Sequence, residues 1–113
     1  MGVGVVLLFT DEKLRQLCNA ERIAKKLLGA KSAQKLRSRL FDLDAAARVT
    51  DLVAGHPHPL KRDRLGQFAV DLDGGCRLVF EPANDPVPLR NDGSTDWSRV
   101  TSVRIVYIGD YHD

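Results

Sequence analysis

The feature that most constrains this chain is His56-Pro57-His58-Pro59, two histidine–proline pairs placed midway along 113 residues. Proline lacks the amide proton that a helix interior uses, and it disfavours helical backbone in the residue before it, so no helix runs through 56–59. The chain is therefore read as two halves joined by a stiff extended connector. A length of 113 residues is enough to close one core and too short for two independent ones, so 1–113 is expected to be a single domain.

The first half has helical periodicity after one strand. Gly2 to Phe9 is an apolar run, far short of a membrane span and without a basic leader or a small-residue cleavage site, so it reads as a buried strand of a soluble, cytoplasmic chain. Gly2-Val3-Gly4 has no strand before it and no third glycine after it, which removes a phosphate-loop reading. Thr10 and Asp11 offer an N-cap. From there Leu14, Leu17, Cys18, Ala24, Leu27 and Leu28 recur at helical spacing up to Gly29. A second helix is expected from Ser32, with Ala33, Leu36, Leu40 and Leu43 on one stripe, and a last helical turn or two from Ala46 to Val53 stops at Gly55.

The second half alternates with period two. Phe68, Val70 and Leu72 share a face, Asp73-Gly74-Gly75 supplies a tight turn, and Cys76 to Glu81 is the return strand. Pro82 to Arg99 holds three prolines and the cluster Asn91-Asp92-Gly93-Ser94, so it reads as a long exposed loop with a role or mobility of its own. Val103 to Ile108 is apolar almost throughout, as a strand covered on both faces should be. The order is strand, helices, then a three-stranded meander.

Charge is uneven although the net value is only +2. Residues 12 to 40 hold nine Lys/Arg against two Glu, whereas 81 to 113 hold three Arg against six acids. The basic half is a candidate polyanion surface, and read by charge alone it is equally the solvated face of amphipathic helices. Two cysteines, Cys18 and Cys76, have neither metal spacing nor a disulfide framework and read as small core residues.

Three histidines keep suggestive company. His58 is followed by Lys61, Arg62 and Arg64, and His112 adjoins Asp110 and Tyr111. Groups that move protons thus lie beside groups that hold phosphate. Cleavage of RNA by internal transesterification needs a base for the 2′-hydroxyl, cations for charge developing on phosphorus and an acid for the departing 5′-oxygen; it does not need a metal or an organic cofactor. Histidine fills either proton-transfer role near neutrality, arginine grips phosphate, and an aspartate can orient an imidazole. The plain reading of the same residues is a surface ion-pair cluster around Asp63 and an unstructured tail.

The run His58-Pro59-Leu60-Lys61-Arg62-Asp63-Arg64-Leu65-Gly66-Gln67-Phe68 resembles the signature of HigB-like toxins of the RelE/ParE superfamily. Cys76-Arg77-Leu78-Val79-Phe80 is similar to that family's next strand and Asp110-Tyr111-His112 to its terminal motif. The resemblance implies an α+β, RelE-like fold, a small antiparallel sheet packed against an N-terminal helix pair. It also implies a toxin of a type II toxin–antitoxin system that cleaves mRNA on the ribosome, with an antitoxin partner of the helix-turn-helix DNA-binding kind. Carried over by position, His58, Asp110, Tyr111 and His112 form the catalytic set, with Asp110 orienting the imidazoles, and Lys61, Arg64 and Arg77 contact phosphate. The basic helical half would face ribosomal RNA. Arg62 stands where the family usually has glycine, the 82–99 loop is longer than the usual connection, and His56 matches no family position. The rival reading is a ParE-like toxin that inhibits DNA gyrase by binding.

Overall fold

A computed structural model describes residues 4–110 of the chain. Its elements are β1 (Val6–Phe9), α1 (Glu12–Asn19), α2 (Glu21–Leu28), α3 (Ala30–Ala45), β2 (His58–Pro59), β3 (Phe68–Asp71), β4 (Cys76–Pro82) and β5 (Ser102–Asp110). The five strands form one sheet in the order β1-β5-β4-β3-β2. This is the expected α+β arrangement with one correction: the sheet is mixed. The meander is antiparallel, but β1 runs parallel to β5, with Val6 opposite Ser102 and Phe9 opposite Ile105. Parallel neighbours need a long crossover, and here the helices and the meander provide it. An apolar pattern records which face a strand buries and not which way its neighbour runs.

The helical half also departs from the periodic reading. Asp11 caps α1 as expected, its carboxylate accepting the Leu14 amide at 2.8 Å. The single helix expected from there to Gly29 is two, broken at Ala20, which adopts extended backbone (φ −126°, ψ 105°). No glycine or proline marks the break. Its reason is tertiary: α1 packs on β1 and β5 while α2 packs chiefly on α3, and one straight axis does not serve both. Gly29, at φ 87°, turns α2 into α3 in a single residue. The helical turns expected between Ala46 and Val53 shrink to a 3-10 turn over Val49–Asp51.

The main core lies between the helices and one face of the sheet. Leu36, Leu43, Val49, Leu78, Phe80, Val100, Val103 and Ile105 are almost completely enclosed there. The opposite face carries a smaller apolar patch of Leu60, Ala69 and Val79, flanked by Val106 and Tyr107. Both faces of β4 and β5 are therefore used. A β-bulge between Val79 and Phe80 makes this possible: Val79 pairs with Tyr107 and Phe80 with Ile105, leaving Val106 as the extra residue. Without it Ile105 and Tyr107, two apart on one strand, would point the same way. With it Ile105 enters the main core and Tyr107 joins the far face.

Truncating Ile105 to alanine is expected to destabilise the protein by about 2–5 kcal/mol through lost burial and the cavity left behind. Leu8→Ala, on the exposed outer side of β1, should change stability by no more than about 0.5 kcal/mol. Urea unfolding midpoints of the two variants measure the contrast.

Candidate functional site on the far face of the sheet

His58 sits on the edge strand β2 opposite Ala69, and the row continues through Val79 to Tyr107. Directly paired residues share a face, so His58 and Tyr107 both lie on the side away from the helices. The next row on that face is Asp71, Arg77 and Gly109. Gly109 is small because the Tyr107 ring occupies the place of a side chain: a Cβ there would fall 2.8 Å from the Tyr107 hydroxyl oxygen. That hydroxyl donates to the Asp110 carbonyl at 2.9 Å, which fixes the ring along the sheet.

His58 is held in a defined tautomer. Its Nδ1 lies 2.7 Å from the His56 carbonyl oxygen, and since a carbonyl only accepts, Nδ1 is the donor and Nε2 is the nitrogen left to exchange a proton. The His56 ring stacks on His58 with centroids 4.5 Å apart. His56 Nδ1 is in turn 3.8 Å from Asp71, whose other carboxylate oxygen accepts Arg77 Nε at 3.1 Å. A continuous chain of contacts therefore links His58 to Arg77 through His56 and Asp71. From the other side the Arg64 guanidinium lies 5.0 Å from the centre of the Tyr107 ring and donates to Gln67 at 3.1 Å.

Of the residues expected from sequence, His58, Arg64 and Arg77 share this face, Arg77 linked to His58 through Asp71 and His56, and Arg64 lying over Tyr107. Lys61 lies at the turn that follows β2, on the rim of a groove behind that strand. Asp110 lies apart from this group. It pairs with Cys76, three strands and three rows from His58, which is roughly 17 Å by strand geometry. Its carboxylate packs against Gly75 at the β3–β4 turn, where a Cβ would meet it at 2.8 Å. Tyr111 and His112 lie outside the described residues.

Three participants escaped the sequence reading. Tyr107 was hidden in an apolar strand, and its polar tip among Val103 to Ile108 was the available signal. Asp71 had none. His56 was set aside, yet it takes φ 51°, a conformation uncommon for a side chain this large, to place its carbonyl and ring against His58. Arg62, where the resembled family usually has glycine, takes φ 56°, in the left-handed region that favours glycine. Neither cysteine is poised as a nucleophile. Burial pushes the Cys18 thiol up to about 12 and raises that of Cys76, so both stay protonated near neutrality. Among the described residues no group of His, Cys, Asp and Glu has the arrangement of a metal site, and no helix is long and apolar enough to cross a membrane.

Comparison with known proteins supports the fold. No family model matches the chain and no curated protein is significantly similar to it. Solved structures are. A YoeB/ParE toxin from Agrobacterium tumefaciens superposes with a TM-score of 0.56 over 95% of this chain and 99% of its own, at 13% identity. The YoeB dimer from Staphylococcus aureus gives 0.55 over 96% and 98%, at 16% identity. The chain thus shares the α+β fold of these two toxin structures, as its motifs led one to expect.

Two outcomes follow. Arg62→Gly should raise stability by about 0.5–1 kcal/mol by relieving the positive φ, read as an increase in the urea midpoint at unchanged slope. Iodoacetamide at pH 7.5 should alkylate Cys18 slowly in the folded protein and rapidly in urea; equal rates would contradict its burial.

Proposed function

We infer that this protein is the toxin of a toxin–antitoxin pair and that it acts as a metal-independent endoribonuclease on mRNA at the ribosome. The observation that carries the reading is His58, its Nδ1 on the His56 carbonyl, on the same sheet face as Arg77, which is held by Asp71, and Tyr107, over which Arg64 lies. An imidazole presented in this way serves as a general base, and the arginines are the complement of a phosphodiester.

In the proposed reaction His58 Nε2 takes the proton from a ribose 2′-hydroxyl. The 2′-oxygen attacks the adjacent phosphorus, forming a 2′,3′-cyclic phosphate as the bond to the 5′-oxygen of the next nucleotide breaks. That oxygen leaves with a proton from an acid, assigned here to His112 or Tyr111. Arg77, held by Asp71, and Arg64, laid over Tyr107, meet the charge that builds on the non-bridging oxygens. The imidazolium that forms on His58 faces the His56 carbonyl, which stabilises the charged ring through Nδ1–H. Lys61 stands on the approach to the site and contributes a phosphate contact. The partners follow from the same reading: mRNA in the ribosome, with the basic helical half against ribosomal RNA, and a neutralising antitoxin with a DNA-binding helix-turn-helix.

The test is induction of the wild type, His58→Ala and Arg77→Ala in cells, with mapping of mRNA 5′-ends. Discrete in-frame cuts by the wild type, reduced at least about 100-fold by His58→Ala, are the expected result. Arg77→Ala should cut less without changing where the cuts fall. Growth arrest with intact mRNA in all three strains would replace this reading with a binding toxin of the gyrase-directed kind.

A further inference from the structure

The segment from Pro82 to Arg99 is folded. Leu89 and Thr95 form a β-bridge, the Arg90 amide donates to the Ser94 carbonyl at 2.7 Å, and the Asp96 amide donates to the Pro88 carbonyl at 2.9 Å. A 3-10 turn over Trp97–Arg99 closes it. Between this segment and the proline connector lies a groove of about 950 Å³. Pro57, Pro59 and Lys61 line it from the connector, whereas His58 does not. Successive residues of a strand point to opposite sides, so β2 presents His58 to the far face and Pro59 to the groove. β2 is also the last strand of the sheet. A ligand lying on His58 can therefore pass over this edge and enter the groove.

The lining has the chemistry of a nucleotide site. Its wall is Trp97, half-buried, packed at 4.8 Å on Phe68 and 6.3 Å edge-on to Phe80. A ring braced by two others and lining a groove is a platform for a base. The rim carries two cations from opposite banks, Lys61 and Arg90. The lining acid, Asp92, is turned to its own loop: its carboxylate accepts the Ser94 amide at 2.9 Å and hydroxyl at 2.5 Å, and these bonds hold it below the usual carboxylate range.

We propose that this groove binds one nucleotide of single-stranded RNA next to the scissile linkage, its base on Trp97 and its phosphate between Lys61 and Arg90. The proposal rests on the ribonuclease reading for its substrate class, and it assigns the long 82–99 segment the task of positioning that substrate. Pockets of about 300–1,000 Å³ are the size range of small-molecule sites, so one nucleotide fits with room for its neighbours.

Trp97 is the sole tryptophan, so its emission reports the groove directly. The experiment uses the full chain carrying His58→Ala, which suppresses cleavage, titrated with a mixed-sequence single-stranded hexaribonucleotide, with an RNA duplex of the same sequence and with inorganic phosphate. Saturable quenching by the hexamer alone is the expected result, and Arg90→Glu, on the exposed loop, should weaken it about tenfold. Trp97→Phe, which keeps a stacking ring, should retain hexamer binding measured by anisotropy of a labelled strand; Trp97→Ala should lose about tenfold. Unchanged emission, quenching insensitive to Arg90→Glu, or equal quenching by the duplex each overturns the proposal. An emission change produced only by co-purified antitoxin overturns it in favour of a protein site. Discrete mRNA cuts without a Trp97 response would sink the groove and leave the ribonuclease reading standing; a response without cuts would do the reverse.

Discussion

The structure depends on one extra residue. Val106 bulges out of the β4–β5 ladder, and because of it a nine-residue strand serves two different environments. On one side Ile105 and Ile108 close the main core with Phe80 and Leu78; on the other Tyr107 lies in the row that ends at His58. The bulge is what lets a small protein bury a hydrophobic face against its helices and still devote the reverse face of the same strands to cations and an imidazole. Removing it would turn Tyr107 into the core and carry Arg64's aromatic support with it.

The far face is organised by interlocking and not by depth. Arg77 is held by Asp71, Asp71 approaches His56, and His56 both stacks on His58 and accepts its Nδ1 proton. Each group lies near the surface, where single ion pairs contribute little to stability. Their value is in orientation: a side chain confined by several weak contacts loses less freedom when a substrate arrives.

The second half of the chain was far more legible than the first. Its turn at Asp73-Gly74-Gly75, its alternation through Phe68 to Leu72 and the break at Pro57 and Pro59 are all local signals, and each appears where it was read. The break at Ala20 was not legible, because its cause is the separate packing of α1 and α2 and not a residue at the break. The parallel pairing of β1 was hidden for the same reason. In the site, His58, Arg64 and Arg77 were found through motif resemblance. Asp110 comes from the same resemblance and pairs with Cys76, three strands from His58, while Asp71 and Tyr107 reach the far face through register, which no single segment encodes. The 82–99 segment looked slack because prolines and turn residues signal irregular backbone, and irregular backbone that bonds to itself is still ordered.

The pairing of β1 with β5 joins almost the first described strand to the last. Contacts of such high sequence separation form late, since nearly the whole chain must be closed into a loop before they are rewarded. During synthesis β1 has no partner until β5 has left the exit tunnel. The sheet face that carries His58 and Arg77 is likewise incomplete until Tyr107 arrives on that same strand.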